Sequence, residues 1–226
     1  RCSELVSKYA ITIEGLHSAV STSDLILVVV KPQDMQGLLV EIKPHINKKA
    51  LILSFVAGKK IGFIKENLSD SQPIVRIMPN TPTSVGLGAA GYSFGSAVTQ
   101  EHRVFVTSLL AAAGKAVEVD ESLQDAITAT SGSGPAYFFA FVEAMVEGAI
   151  ALGLSREDAT TLTIQTIVGS AALLERSGDS PTTLREKVTS PNGTTAAALA
   201  SFSNDHLSEI VARAMKAAHD RSQELA

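Results

Sequence analysis

The sequence is short of several things. In 226 residues it has one cysteine, Cys2, no long apolar run and no dense patch of Lys and Arg. A single cysteine can form neither an internal disulfide nor a cysteine metal cluster, so any redox chemistry has to come from a bound cofactor. No apolar run reaches the roughly 20 residues of a bilayer span, and the opening RCSELVSKYA lacks the apolar core of a signal peptide. Together these absences point to the cytoplasm. A formal net charge of −4 without a basic cluster argues against an electrostatic footprint for nucleic acid or an anionic membrane. The expected partner is a small molecule or another copy of the chain. The histidines, His17, His45, His102, His206 and His219, are scattered without metal-ligand spacing and read as surface or capping residues, so no metal is expected.

What is present is a chain with 45% hydrophobic residues, enough for one large core or two smaller ones, and its pattern changes midway. Asp24 to Val30, Lys49 to Val56 and Pro73 to Met78 are short apolar β-branched runs that read as strands buried on both faces. Between them lie helical patterns, about Gln33 to Ile46 and around Ile61, Ile64 and Leu68. This alternation predicts a parallel sheet with right-handed crossovers, with ligands beyond the carboxyl ends of its strands. The segments there are Val30 to Gln33, Val56 to Gly58 and Pro79 to Pro82. Further on, Ala89 to Phe94 and Lys115 to Val119 read as strands, flanking a helix over Gln100 to Ala113 with an apolar face of Val104, Phe105, Leu109 and Leu110.

One absence cuts across this pattern. A dinucleotide fold opens with a strand, a G-x-G-x-x-G turn and a helix, and no such glycine pattern stands near the start. The first residues read as a strand end running into a helix over Ser3 to Tyr9. The expectation is a fragment, or a chain lacking an N-terminal segment that the working protein has, and hence poor cofactor binding as it stands.

Beyond a boundary placed between residues 122 and 123 almost everything reads as helix. Ser131 to Pro135 precedes a long helix that is apolar nearly all round, with Phe138, Phe139, Phe141, Val142, Met145 and Val146. Such a helix must be buried on most faces, most simply against a second subunit. Ser155 caps the next helix, which stops at Gly178, and Ser180-Pro181 opens a short one. Then comes Ser190-Pro191-Asn192-Gly193-Thr194-Thr195, a turn in which Asn or Gly takes a left-handed conformation before an alanine-rich helix. The free amides at such a helix start suit a carboxylate; a plain Ser/Thr cap with a tight turn is the simpler alternative.

Three segments, IVRIMPNTP (Ile74 to Pro82), TSGSGPAYFF (Thr130 to Phe139) and LREKVTSPNGTTAAAL (Leu184 to Leu199), resemble in order and spacing the pyrroline-5-carboxylate reductase family, and the resemblance runs the whole chain. It implies a Rossmann-like domain over 1–122, lacking the first strand and glycine-rich turn, followed by an all-α substrate-binding and dimerisation domain over 123–226. The implied assembly is a homodimer or higher homo-oligomer with each active site at a subunit boundary. The implied reaction is the last step of proline biosynthesis, hydride reduction of the cyclic imine to L-proline by NADPH, with NADH possible.

On that resemblance the amides of Gly193, Thr194 and Thr195, with Ser190, hold the substrate carboxylate. The Thr195 hydroxyl is the donor near the ring nitrogen. Val29, Val30, Lys31, Pro32, Phe55, Val56, Ala57 and Asn80 line the cofactor, and Lys31 and Ala57 also face the substrate. Arg1 and Ser3 lie toward the ribose 2′ position, where Arg1 favours a 2′-phosphate. Taken alone, Lys31 is also readable as a solvated strand-end lysine. The family often has Gly-Gly where Asn192-Gly193 stands. Two rivals are a β-hydroxyacid-type dehydrogenase, expected to carry a catalytic lysine in its helical domain, and a non-catalytic dimerising fragment.

Overall fold

The apolar β-branched runs become neighbouring strands of one sheet. The computed structural model describes residues 2–225. After helices α1 (Cys2–Tyr9) and α2 (Leu16–Thr22) come β1 (Leu25–Val28), α3 (Met35–Ile42), β2 (Leu51–Ser54), α4 (Ile61–Asn67) and β3 (Ile74–Met78). β4 (Gly88–Phe94), α5 (Gln100–Ala111), β5 (Gly114–Glu118) and the short α6 (Gln124–Ile127) follow. The sheet order is β1-β2-β3-β4-β5. β1, β2 and β3 are parallel, β4 runs antiparallel to β3, and β5 is parallel to β4. The expected parallel β-α-β-α-β unit is therefore there, extended by two further strands into a Rossmann-like sheet.

Because side chains alternate across a strand, β2 serves two cores. Ile52 joins Met35, Leu39 and Ile42 of α3 and Ile61 and Ile64 of α4 on one face, while Leu51 and Leu53 join Val75, Ile77, Tyr92 and the α5 residues Val106 and Leu110 on the other. Helices thus cover both faces of the sheet. Where β4 meets β5 the backbones touch: a Cβ on Gly114, at φ +143°, would clash with the Gly88 backbone, so only glycine serves there.

Three sequence expectations are corrected. β1 is not buried on both faces: it is an edge strand, and Leu27 is 51% exposed. In α5 the buried face is Val106 and Leu110, with Val104, Phe105 and Leu109 exposed, because the sheet selects one of several apolar stripes on that helix. No strand end precedes α1 among the described residues; Ser3 lies in its first turn.

By internal contacts the chain divides into two units, Arg1–Ser133 with Ala218–Ala226, and Gly134–Ala217. In the first, α6 runs into a π turn, Thr128–Gly132, closed by the Ser133 amide on the Thr128 carbonyl at 2.8 Å. A Cβ on Gly91 would collide with Ile127, which shows how closely this segment lies on β4.

The second unit is helical. α7 (Gly134–Ala151) packs with α8 (Arg156–Ser177), and α9 (Pro181–Lys187), α10 (Thr194–Asn204) and the start of α11 (Leu207–Glu224) follow. The expected caps are present: Ser155 accepts from the Asp158 amide, Ser180 from the Thr183 amide, and Gly178 closes α8 at φ 72°. Phe138 and Phe139 of α7 are 64% and 63% exposed in the single chain. No helix among the described residues is long and apolar enough to cross a membrane.

Candidate active site

Parallel pairing brings three strand ends level. Val28 of β1 stands opposite Ser54 of β2, and Ser54 opposite Arg76 of β3. The Phe55 amide still donates to the Val28 carbonyl at 2.9 Å, so the loops leave the sheet side by side. Val29 is 73% exposed there, Val30 and Pro32 are half-buried and Lys31 is exposed. Across from them lie half-buried Phe55 and Ala57 with buried Val56. Asn80 completes the row. It precedes the short helical turn Thr81–Val85, and its Oδ1 accepts from the Ala89 amide at 2.8 Å, fastening the start of β4 to the end of β3. The structure thus gathers every strand-end residue expected to line a cofactor. Ser3 is exposed on α1, and Arg1 lies outside the described residues.

The row of strand ends is a candidate dinucleotide site. It offers apolar surface (Val29, Phe55), main-chain amides of three loops and one fixed carboxamide, the mixture that such sites at strand carboxyl ends use.

The other expected residues form a single turn in the helical unit. The Gly193 amide closes it on the Ser190 carbonyl at 3.0 Å, and Asn192 takes the left-handed conformation at φ 58°. Asn tolerates that region better than most residues, which is why Asn192 can stand there. Gly193 is the cap residue of α10 and supplies no side-chain hydrogen bond. The plain Ser/Thr cap is therefore not what is built. The first intrahelical bond of α10 is Ala197 N–H to the Gly193 carbonyl, so the amides of Thr194, Thr195 and Ala196 have no acceptor within the helix. Ser190 and Thr194 are exposed and Thr195 is half-buried. A helix start with amides open and hydroxyls beside them is suited to an anion.

Sequence reasoning missed a buried polar cluster under the sheet. Arg76, only 3% exposed, lies 3.4 Å from Glu121 Oε1 and 3.8 Å from Asp125 Oδ1. Asp125 accepts the Ser222 hydroxyl at 2.7 Å, and Gln124 donates to Ser93 Oγ at 2.9 Å. Beside Glu121, two hydrogen bonds from Ser122, one from its side chain and one from its amide, hold the Asp120 carboxyl below its ordinary range. The available signal was one arginine inside the apolar run Ile74 to Met78. The histidines behave as ordinary surface groups: His102 completes a capping box with Thr99, and His17 stacks on His45 at 4.1 Å. Among the described residues no group of acidic, His or Cys side chains could hold a metal ion.

Known proteins supply the frame for these two sites. The family model described as pyrroline-5-carboxylate reductase dimerisation matches residues 121–225. Pyrroline-5-carboxylate reductase of Pseudomonas aeruginosa is 40% identical over 225 residues, covering 99% of this chain and 82% of that protein. Among solved structures, a pyrroline-5-carboxylate reductase from Coxiella burnetii superposes with a TM-score of 0.92 at 34% identity, over 100% of this chain and 84% of the other. The Plasmodium falciparum pyrroline carboxylate reductase with NADP bound does so with a TM-score of 0.88 at 31% identity, over 94% and 81%. On these grounds the chain belongs to the pyrroline-5-carboxylate reductase family.

Proposed function

We propose that this chain reduces 1-pyrroline-5-carboxylate to L-proline with a hydride from NAD(P)H, the last step of proline biosynthesis. The observation that carries the reading is the Ser190–Gly193 turn, which leaves the first amides of α10 without a side-chain cap, whereas Ser155 and Ser180 cap α8 and α9. A substrate with a carboxylate beside its ring nitrogen needs such an anion holder. Thr194 and Thr195 present amides to that carboxylate and Ser190 adds its hydroxyl, while the Gly193 amide, expected to join them, is instead donated to the Ser190 carbonyl and closes the turn. The Thr195 hydroxyl, on the last of these residues, donates toward the ring nitrogen, directly or through a water. The imine becomes electrophilic at carbon when its nitrogen is hydrogen-bonded or protonated, so this donor lowers the barrier without a catalytic histidine or cysteine.

When bound, NAD(P)H supplies the hydride. Val29, Val30, Lys31 and Pro32, with Phe55, Val56, Ala57 and Asn80, hold and orient it, and Lys31 and Ala57 also face the substrate. Ser3 is assigned to the ribose side of this site; Arg1, expected beside it, lies outside the described residues. The functional division falls between residues 122 and 123, a dinucleotide-binding part before it and a substrate-binding, dimerising part after it; the family model begins close by, at residue 121. The working form is a homodimer or higher homo-oligomer, and the cytoplasm is its compartment.

A β-hydroxyacid-type dehydrogenase is disfavoured by Lys187, the one lysine of the helical part ahead of Lys216. Its Nζ is tied to Asp179 Oδ2 at 2.6 Å rather than held free for catalysis. The deciding experiment is steady-state turnover of 1-pyrroline-5-carboxylate with NADPH and with NADH, on protein of measured intact mass. Proline-forming turnover supports the reading. Proline binding without turnover by either cofactor replaces it with a non-catalytic dimerising chain.

A further inference from the structure

The crossover helix α4 begins without help from its own neighbourhood, since its cap residue Lys60 makes no side-chain hydrogen bond. The Ile61 amide instead donates to Glu121 Oε1 at 2.7 Å, across sixty residues of sequence. The same oxygen faces buried Arg76 at 3.4 Å, and that guanidinium also faces Asp125. A carboxylate at a helix start is favourable, and one that also meets a buried cation is held in place. We propose that Glu121 is a positioning residue for the cofactor crevice.

The loop from Phe55 to Lys60 carries Phe55, Val56 and Ala57. One of its ends is fixed in the sheet by Ser54, and the other is fixed at Ile61 by Glu121. Arg76, which meets the same oxygen, stands on β3 a few residues before Asn80. One oxygen therefore links the far end of the Phe55 loop to the strand that leads to Asn80, two segments that a cofactor needs in register. The inference rests on the reading that these segments line NAD(P)H.

The test compares Glu121→Ala with Glu121→Gln, because the amide keeps a carbonyl acceptor for Ile61 while removing the charge that faces Arg76. NADPH affinity is read from the nucleotide's own fluorescence, which needs no turnover. Local anchoring is read from hydrogen exchange at the Ile61 amide. In Glu121→Ala, affinity for NADPH is expected to fall on the order of ten-fold, with Ile61 exchange faster by a similar factor. The KM for 1-pyrroline-5-carboxylate should stay within about two-fold, and Glu121→Gln should restore most of both losses. Equal losses for cofactor and substrate, unchanged Ile61 exchange, or no recovery in Glu121→Gln would overturn the proposal. A wild-type chain that neither binds NADPH nor turns over fails at the control, and the functional reading falls together with this inference.

Discussion

The sheet unit and the helical unit are built on opposite principles. In the first, Met35, Leu39, Ile52 and Ile64 are completely shielded within the single chain, and helices flank both faces of the sheet. In the second, Phe138, Phe139, Leu162, Ile164 and Leu173 face outward, and Val146 is the one large apolar side chain fully inside among the described residues. Burial of apolar area drives folding in proportion to the area removed from water. The sheet unit obtains that burial from its own elements, whereas the helical unit leaves much apolar surface exposed for another copy to cover, in line with the dimerisation family model that matches residues 121–225. One half of the chain should therefore have an intrinsic stability, and the other a stability that depends on concentration.

The strongest way to break this comparison is at Leu39, which lies in the α3 core at 0% exposure. Leu39→Ala is expected to cost about 2–5 kcal/mol of unfolding free energy, with the loss the same at every protein concentration when followed by denaturant titration. A loss that grows on dilution would mean that the sheet unit too is completed by its partner.

The catalytic assignment comes next in size. Thr195→Ala is expected to lower kcat roughly ten- to a thousand-fold, the effect of one positioned donor, with thermal stability unchanged, since Thr195 is only half-buried. Unchanged turnover would remove the role from Thr195. A loss of stability in step with activity would make the residue part of the helical scaffold instead.

How much of this was readable beforehand depends on range. The runs from Asp24, Lys49 and Pro73 were visible as strands because β-branched residues bounded by turn residues leave few other options. Their ends were not, since apolar Val29 continues the run after the ladder has stopped at Val28. The α5 stripe was misread because Val104, Phe105, Val106, Leu109 and Leu110 allow more than one apolar face, and only the sheet beneath decides among them. Pro191-Asn192-Gly193 announced a turn with a left-handed residue, which is local chemistry. A helix starting at Thr194 with free amides and a plain Ser/Thr cap were both open in the sequence, and Gly193 at the cap position decides for the first. The Glu121–Ile61 tie left no mark in the sequence at all, because two residues sixty apart share no periodicity.

The outward face of α7 sharpens the comparison from the other side. Phe138→Ala removes an exposed aromatic ring and is expected to weaken self-association on the order of ten-fold, as loss of one interface aromatic does. Sedimentation equilibrium would read this, and the thermal midpoint should fall further as the protein is diluted. Intact association in Phe138→Ala would mean that the exposed ring is not part of the surface that pairs.

The smallest expected effect tests whether the substrate turn is independent of the cofactor crevice. A Cβ at Gly193 would meet the Ser190 carbonyl oxygen at 3.1 Å and Ser190 Cβ at 3.4 Å. Gly193 itself sits in ordinary extended backbone at φ −83°, so a larger residue is opposed by contact rather than by backbone strain. In Gly193→Val the branched side chain should push Ser190 away and spread the amides that face the carboxylate. The KM for 1-pyrroline-5-carboxylate should then rise about ten-fold, the weight of one charge-assisted hydrogen bond, while NADPH affinity holds. Equal losses for both ligands would show that the turn supports the fold as a whole, and the carboxylate would need another holder.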